Sequence, residues 1–291
     1  MSWRVVVVSK RSKLDYKMGF LVVRSEDGEN RVHLGDISVL ICETTAISIT
    51  AYLLSELIAQ KVKVIFCDTN HNPVSELMPM HGSYDSSGKI REQIKWPVEI
   101  KEKIWQAIVK RKIKNQANVL EYVGKAEKAK QLRGYAEEVE PGDPTNREGH
   151  AAKVYFNELF DENFYRNADD IRNAVLNYGY TILLSCFNRE ISASGYLTQL
   201  GLWHDNAGNP FNLSSDLMES FRPIIDKFAH DCDFKVFEKE EKMQVVNLLN
   251  SKVQIGGSKQ YLNNAIGMYV RSIFLAIEEK DVSKILDWHE L

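Results

Sequence analysis

The chain has 291 residues, 44% of them hydrophobic and 26% charged, which places it among folded globular proteins and excludes disordered, collagen-like and low-complexity chains. That length holds two modest domains or one large one. The formal charge of −3, read as an average, speaks against a nucleic-acid binder, because an excess of Lys and Arg supplies the attraction to phosphates.

Short β-rich runs open the chain: Arg4–Ser9, Met18–Arg24, Arg31–Leu34 and Ser38–Cys42. The polar cluster Glu26-Asp27-Gly28-Glu29 reads as a hairpin turn. Thr44 or Thr45 is placed to cap a helix over Ala46–Gln60, where Ile49, Leu53, Leu54, Leu57 and Ile58 follow helical spacing. A buried strand, Val62–Cys67, follows, so the spacing predicts a small antiparallel β domain carrying one helix. Asp68–Lys89 is dense in Asn, Pro, Gly and Ser and reads as a linker or hinge; His71 and His81 within it read as solvated loop histidines or, alternatively, a metal pair. The expected divisions are a β-rich domain at 1–76 that makes a dimer contact, a hinge at 77–90 and an α-helical domain at 91–291.

Beyond residue 90 the pattern is helical. A long helix or helix pair is expected from Arg91 to Glu138, ended by Glu140-Pro141-Gly142-Asp143-Pro144. Further helices are expected from near Thr145, over Asp169–Leu200 and from near Ser214, and the last third holds at least two more, split at Gly256-Gly257 and near Glu279. The predicted fold class is α+β, a small N-terminal β-rich domain joined to a larger all-α domain.

Four cysteines, Cys42, Cys67, Cys186 and Cys232, lack CxxC spacing and lie in or beside apolar stretches, as expected of reduced structural thiols. The opening MSWRVVVVSKRSK has too short an apolar run for a signal-peptide core, and no window approaches the ~18 apolar residues of a membrane span. A cytoplasmic protein without membrane contact is the expectation.

Three segments carry candidate chemistry. In Thr145-Asn146-Arg147-Glu148-Gly149-His150, Thr145 and Glu148 fit a T-x-x-E capping box; the alternative is a carboxylate offered to a cation at a helix start. In Gly201-Leu202-Trp203-His204, Gly201 fits a left-handed helix end, which puts His204 in a loop at the negative end of a helix dipole, as an incidental side chain or as a ligand. In Asn212-Leu213-Ser214-Ser215-Asp216-Leu217-Met218-Glu219-Ser220-Phe221-Arg222-Pro223, Ser214 or Ser215 is a cap candidate. Asp216 and Glu219 then share a face in the first turn, and Pro223 kinks the helix or ends its first segment. Two carboxylates and an imidazole make a mixed oxygen–nitrogen site that suits Mn2+ or Mg2+ better than zinc, and such an ion polarises a phosphodiester.

The order of these segments, E-G-H-A-A-K-V-Y-F, then G-L-W-H, then F-N-L-S-S-D-L-M-E-S-F-R-P, closely resembles the CRISPR-associated endonuclease/integrase family of spacer acquisition, in the pattern of its type II-A branch. The MSWR-VVV opening and V-I-F-C-D-T-N-H-N-P extend the resemblance along essentially the whole chain. The resemblance implies Glu148, His204 and Glu219 as catalytic metal ligands for Mg2+ or Mn2+, with Asp216 in support; Glu219 stands where the family often has Asp. His204 as a general acid/base is the alternative to a ligand role. The implied reaction is transesterification, in which the 3′-OH of a prespacer DNA attacks a phosphodiester at the leader–repeat border of a CRISPR array. The alternatives are a general metal-dependent nuclease acting on branched DNA and a non-catalytic DNA-binding scaffold. The implied partners are DNA, a second copy in a homodimer, the small second CRISPR-associated protein in a heterohexamer and, in type II-A systems, the effector nuclease and a ring-shaped accessory protein.

Charge distribution qualifies the opening objection. Lys89 to Arg133 carries thirteen Lys or Arg against five Asp or Glu, whereas residues 134–170 carry ten acids against three bases. Lys110, Arg111, Lys112 and Lys114 form the densest basic group, and with Arg222 they are the candidate DNA contacts; a solvated helix face, or for Arg222 a neighbouring acid, is the alternative.

Overall fold

A computed structural model describes residues 4–79, 83–161, 164–166 and 168–290, so His81 lies outside the described residues. The N-terminal region holds β1 (Arg4–Val8), β2 (Ser12–Lys17), β3 (Phe20–Ser25), β4 (Gly28–His33), β5 (Ile37–Cys42), β6 (Ile47–Ile49), α1 (Ala51–Ala59), β7 (Lys63–Cys67) and β8 (Pro73–Leu77). The strands form two four-stranded sheets, β1-β5-β7-β8 and β4-β3-β2-β6. The turn at Glu26–Gly28 joins β3 and β4 as expected.

The region is not purely antiparallel, because β1, β5 and β7 run parallel. The β2–β4 meander carries the chain from the end of β1 to the start of β5, and α1 does the same between β5 and β7, so each connection is a crossover rather than a hairpin. Every residue of β5 is buried. Alternate side chains divide between two cores: Val39 and Ile41 join Ile65 and Cys67 against the helical region, while Leu40, Cys42 and Val64 face Leu53 and Leu57 of α1.

The helix does not begin at Ala46: Ile47–Ile49 pairs in parallel with β2, and Thr50 caps α1 by accepting from the Leu53 amide. Within the expected hinge, Pro73–Leu77 is a strand, antiparallel to β7.

The second region contains α2 (Ser86–Gln93), α3 (Val98–Tyr122), α4 (Ala126–Glu138), α5 (Arg147–Leu159), α6 (Ile171–Ala193), α7 (Asn212–Met218), α8 (Arg222–Asp231), α9 (Lys239–Asn247) and α10 (Leu262–Glu279). The architecture is therefore α+β, a β-rich N-terminal region followed by a helical one. Pro97 starts α3 and Gly124, at φ +82°, closes the turn before α4, which divides the long 91–138 pattern. The helical region also carries a small sheet of β9 (Lys252–Ile255), β10 (Ser258–Tyr261) and β11 (Trp288–Glu290), and Gly256-Gly257 is the turn of its hairpin rather than a break between helices. The four cysteines are free, and burial pushes the Cys42 and Cys186 thiols up to about 12. Among the described residues no helix is long and apolar enough to cross a membrane.

Candidate active site

The start of α5 decides what Glu148 is free to do. Asn146, at φ +51°, is the cap and accepts from the Gly149 amide at 3.1 Å, while Asp143 accepts from the Arg147 and Glu148 amides at 2.8 and 2.9 Å. The Thr145–Glu148 capping box therefore does not form, because the first-turn donors are already satisfied. Gly149 is required here: a Cβ would lie 2.7 Å from the Asn146 side-chain amide. Glu148 is released toward α3.

There it meets Lys112. The Lys112 ammonium donates to Glu148 Oε1 at 2.6 Å and lies 2.6 Å from Glu219 Oε2, which receives no directed hydrogen bond although it is buried. Arg222 approaches the other Glu219 oxygen, Oε1, at 3.0 Å, and its guanidinium lies over the Tyr180 ring. Burial pulls the Lys112 pKa down, but Glu219 and Glu148 outweigh it and hold the ammonium above its ordinary range. Burial likewise opposes ionisation of Glu219, and Lys112 with Arg222 reverses that, so its carboxyl is held below the usual carboxylate range. Asp226 is buried near this cluster, and burial raises its carboxyl to about 6 against the hydrogen bond from Tyr180 and the charge of Arg222.

His204 and Asp216 form the second half of the site. α6 ends at Ala193 with Gly195 at φ +89°, so the helix stops well before Gly201 and His204 does not sit at its C-terminus. Its electrostatic partner is Asp216, which is fully buried. Asp216 Oδ2 accepts from the Leu202 and Trp203 amides at 2.6 and 2.9 Å; Oδ1 accepts from the His204 amide at 3.2 Å and from His204 Nδ1 at 2.5 Å. The hydrogen bond to Asp216 raises the His204 pKa, partial burial opposes it, and the charges of Asp216, Glu219 and Glu148 add to it. Because Nδ1 donates, the neutral ring keeps Nε2 as its lone-pair nitrogen. Gly201 serves space rather than handedness: a Cβ there would lie 2.2 Å from the His204 carbonyl oxygen and 2.9 Å from Asp216 Oδ2.

α7 begins at Asn212 without a side-chain cap, so Ser214 and Ser215 are interior residues of the helix. Glu219 falls in a single 3-10 turn between α7 and α8, and Pro223 sits in the first turn of α8, where its missing N–H costs nothing. That turn separates Asp216 from Glu219 in function: one holds the His204 loop, the other faces Lys112.

The donor set of Glu148, Glu219 and His204 fits a hard divalent ion in chemistry, and the gathering of two carboxylates about one ammonium, with Glu219 Oε2 lacking a directed donor, is an arrangement a cation stabilises. Among the described residues, no three His, Cys, Asp or Glu side chains close on one point at ligand distance; a lysine is the bridging cation.

The basic group reads differently in three dimensions. Lys112 and Arg222 belong to the site, Arg111 pairs with Asp287, Lys114 pairs with Glu137 at 2.9 Å, and Lys110 is half-buried. The run of basic residues suggests an outer face for Lys112, as a DNA contact or a solvated side chain, whereas its spacing of four from Ile108 and seven from Trp105, both fully buried, is the sign of its inward position.

A sequence model described as "CRISPR associated protein Cas1" matches residues 5–233. The chain is 38% identical over 227 residues to the CRISPR-associated endonuclease Cas1 of Neisseria meningitidis serogroup C (strain 8013), covering 78% of this chain and 74% of that protein. Its fold is similar to a casposase bound to integration product, with a TM-score of 0.76, 18% identity, and coverage of 97% of this chain and 92% of that one. A chain of a Cas6-RT-Cas1–Cas2 complex superposes with a TM-score of 0.72 and 17% identity, covering 99% of this chain and 36% of that one. With a match spanning both the β-rich region and the Glu148, His204 and Glu219 segments, this chain belongs to the CRISPR-associated Cas1 family.

Proposed function

We propose that this chain is a divalent-metal-dependent DNA integrase and endonuclease of CRISPR adaptation, joining prespacer 3′-OH ends to the leader–repeat border by transesterification. The observation that carries the reading is the pair of carboxylates, Glu148 and Glu219, drawn from separate helical segments to one buried cation beside an Asp216-oriented His204. Family membership and the likeness to a casposase bound to integration product support it.

Mg2+ or Mn2+, held by Glu148, Glu219 and His204, would supply Lewis-acid stabilisation of the attacking and departing oxygens. The protein's own share is positioning. Asp216 fixes the imidazole so that Nε2 remains available, Arg222 compensates the Glu219 charge, and Lys112 keeps the two carboxylates together until a stronger cation competes. One phosphodiester replaces another, so no nucleotide cofactor enters the balance.

The working unit is proposed as a homodimer that associates with the small Cas2 protein on DNA, a reading supported by the likeness to a chain of a Cas1–Cas2 complex. The type II-A effector nuclease and the ring-shaped accessory protein are proposed as further partners and the cytoplasm as the location. Incubating the protein and its companion with a 3′-OH duplex, a supercoiled CRISPR plasmid and Mn2+ tests the reaction. Strand-transfer products lost in His204→Ala and Glu219→Ala are expected. Cleavage without joining would replace integration by a nuclease role, and no metal-dependent chemistry would replace both by a scaffold.

A further inference from the structure

We propose that Trp203 is a stacking platform for the nucleobase beside the reacting phosphate, an inference that rests on the DNA-processing role above. Trp203 is 45% exposed, although it lies between Leu202 and His204, whose backbone amides, like its own, are bound by Asp216. These three hydrogen bonds fix the loop backbone and with it the direction in which the Trp203 side chain leaves the chain.

The ring is held on the surface by a built support. It stacks on Trp105 of α3, with centroids 6.0 Å apart and planes within 7°. Trp105 is fully buried and also meets the His204 imidazole edge-on, at 5.5 Å and 87°. One buried indole thus fixes both the ligand ring and the exposed ring next to it. Gly142, at φ +74°, lies under the edge of Trp203, and a Cβ there would come within 3.3 Å of Cζ3. A large, rigid, uncharged π-face immediately beside His204 suits a flat aromatic guest rather than a phosphate, and every base offers such a face regardless of sequence.

The test uses the full chain and a duplex with a 3′ overhang carrying 2-aminopurine as its terminal nucleotide, in Ca2+ so that binding is read without chemistry. Quenching of 2-aminopurine is expected with the wild type, reduced in Trp203→Phe and lost in Trp203→Leu. An abasic site at the same position should weaken wild-type binding about tenfold and leave Trp203→Leu indifferent to the change. If Trp203→Leu quenches as the wild type does and keeps the abasic penalty, the platform is refuted. Strand transfer or cleavage in Mn2+ by the wild type and by Glu219→Gln reports on the reaction separately. A Trp203-dependent signal without chemistry leaves the platform and removes the integrase; chemistry with a Trp203-independent signal does the reverse.

Discussion

Lys112→Met removes the ammonium that joins Glu148 to Glu219 while preserving much of its volume. The three side chains are 12%, 22% and 6% exposed, so two carboxylates would be left facing each other with little water. Breaking a buried ion pair from one side costs about 3–5 kcal/mol, and Arg222 remains beside Glu219, so a loss of about 3 kcal/mol is expected. In a chain this long that lowers the melting midpoint by about 5 °C. The same vacancy is a better home for a divalent cation, since no ammonium has to be displaced. Mn2+ at a hundredfold excess over its dissociation constant contributes about 2.7 kcal/mol where no ammonium must leave, so Mn2+ should raise the melting midpoint of the variant by more than that of the wild type and narrow the gap between them. If Lys112→Met melts within 1 °C of the wild type, roughly the effect of a sub-kcal/mol change, or if Mn2+ shifts both proteins equally, the bridging role assigned to Lys112 is wrong.

Replacing Asp216 with Asn keeps an acceptor for the loop but cannot hold His204 in the same charge state; metal-dependent DNA processing should fall about 10–100-fold with DNA affinity unchanged by gel shift. Gly201→Ala drives a methyl group into the His204 carbonyl and should cost about 2 kcal/mol in urea unfolding, because the atoms it meets are backbone and a buried carboxylate. Asn146→Ala should cost about 1 kcal/mol, whereas Thr145→Ala should stay within about 0.5 kcal/mol, an ordering that reverses if Thr145 is the cap. Asp226 has its carboxyl raised from 3.8 to about 6, so between those values the folded state binds the extra proton. Its contribution to stability accordingly declines as pH rises through that window, by up to about 3 kcal/mol. Unfolding of Asp226→Asn at pH 4 and pH 7 should show that decline removed.

The α+β order was legible because β-branched runs such as Arg4–Val8 and the 3.6-residue spacing of Ile104, Ile108 and Leu120 respond to a local period. What local period cannot carry is pairing. The parallel order of β1, β5 and β7 depends on where the intervening meander and α1 deposit the chain, and Ile47–Ile49 reads as a helix turn until β2 claims it. At the site, the residue types of Glu148, His204 and Glu219 stood out in sequence through a family pattern, but the cap that frees Glu148 did not. Asn146 outcompetes Thr145 only because Asp143 already occupies the neighbouring amides and Gly149 leaves room. Asp216 and Glu219 look alike at a spacing of three. A 3-10 turn, invisible to the heptad eye, sends one to the loop and the other to Lys112.

The turn bearing Glu219 is held from behind. Trp288 of β11 stacks on Phe221 with centroids 4.0 Å apart and its Nε1 donates to Ser220 Oγ, while Asn115 donates to the Ser220 carbonyl. Trp288 lies roughly 70 positions downstream of Glu219, so at about 5–20 residues per second the ribosome delivers it several seconds later. During that interval the nascent chain already contains Glu148, His204 and Glu219 but lacks the indole that braces the Glu219 turn. The native packing of the Glu219 turn therefore awaits synthesis of β11.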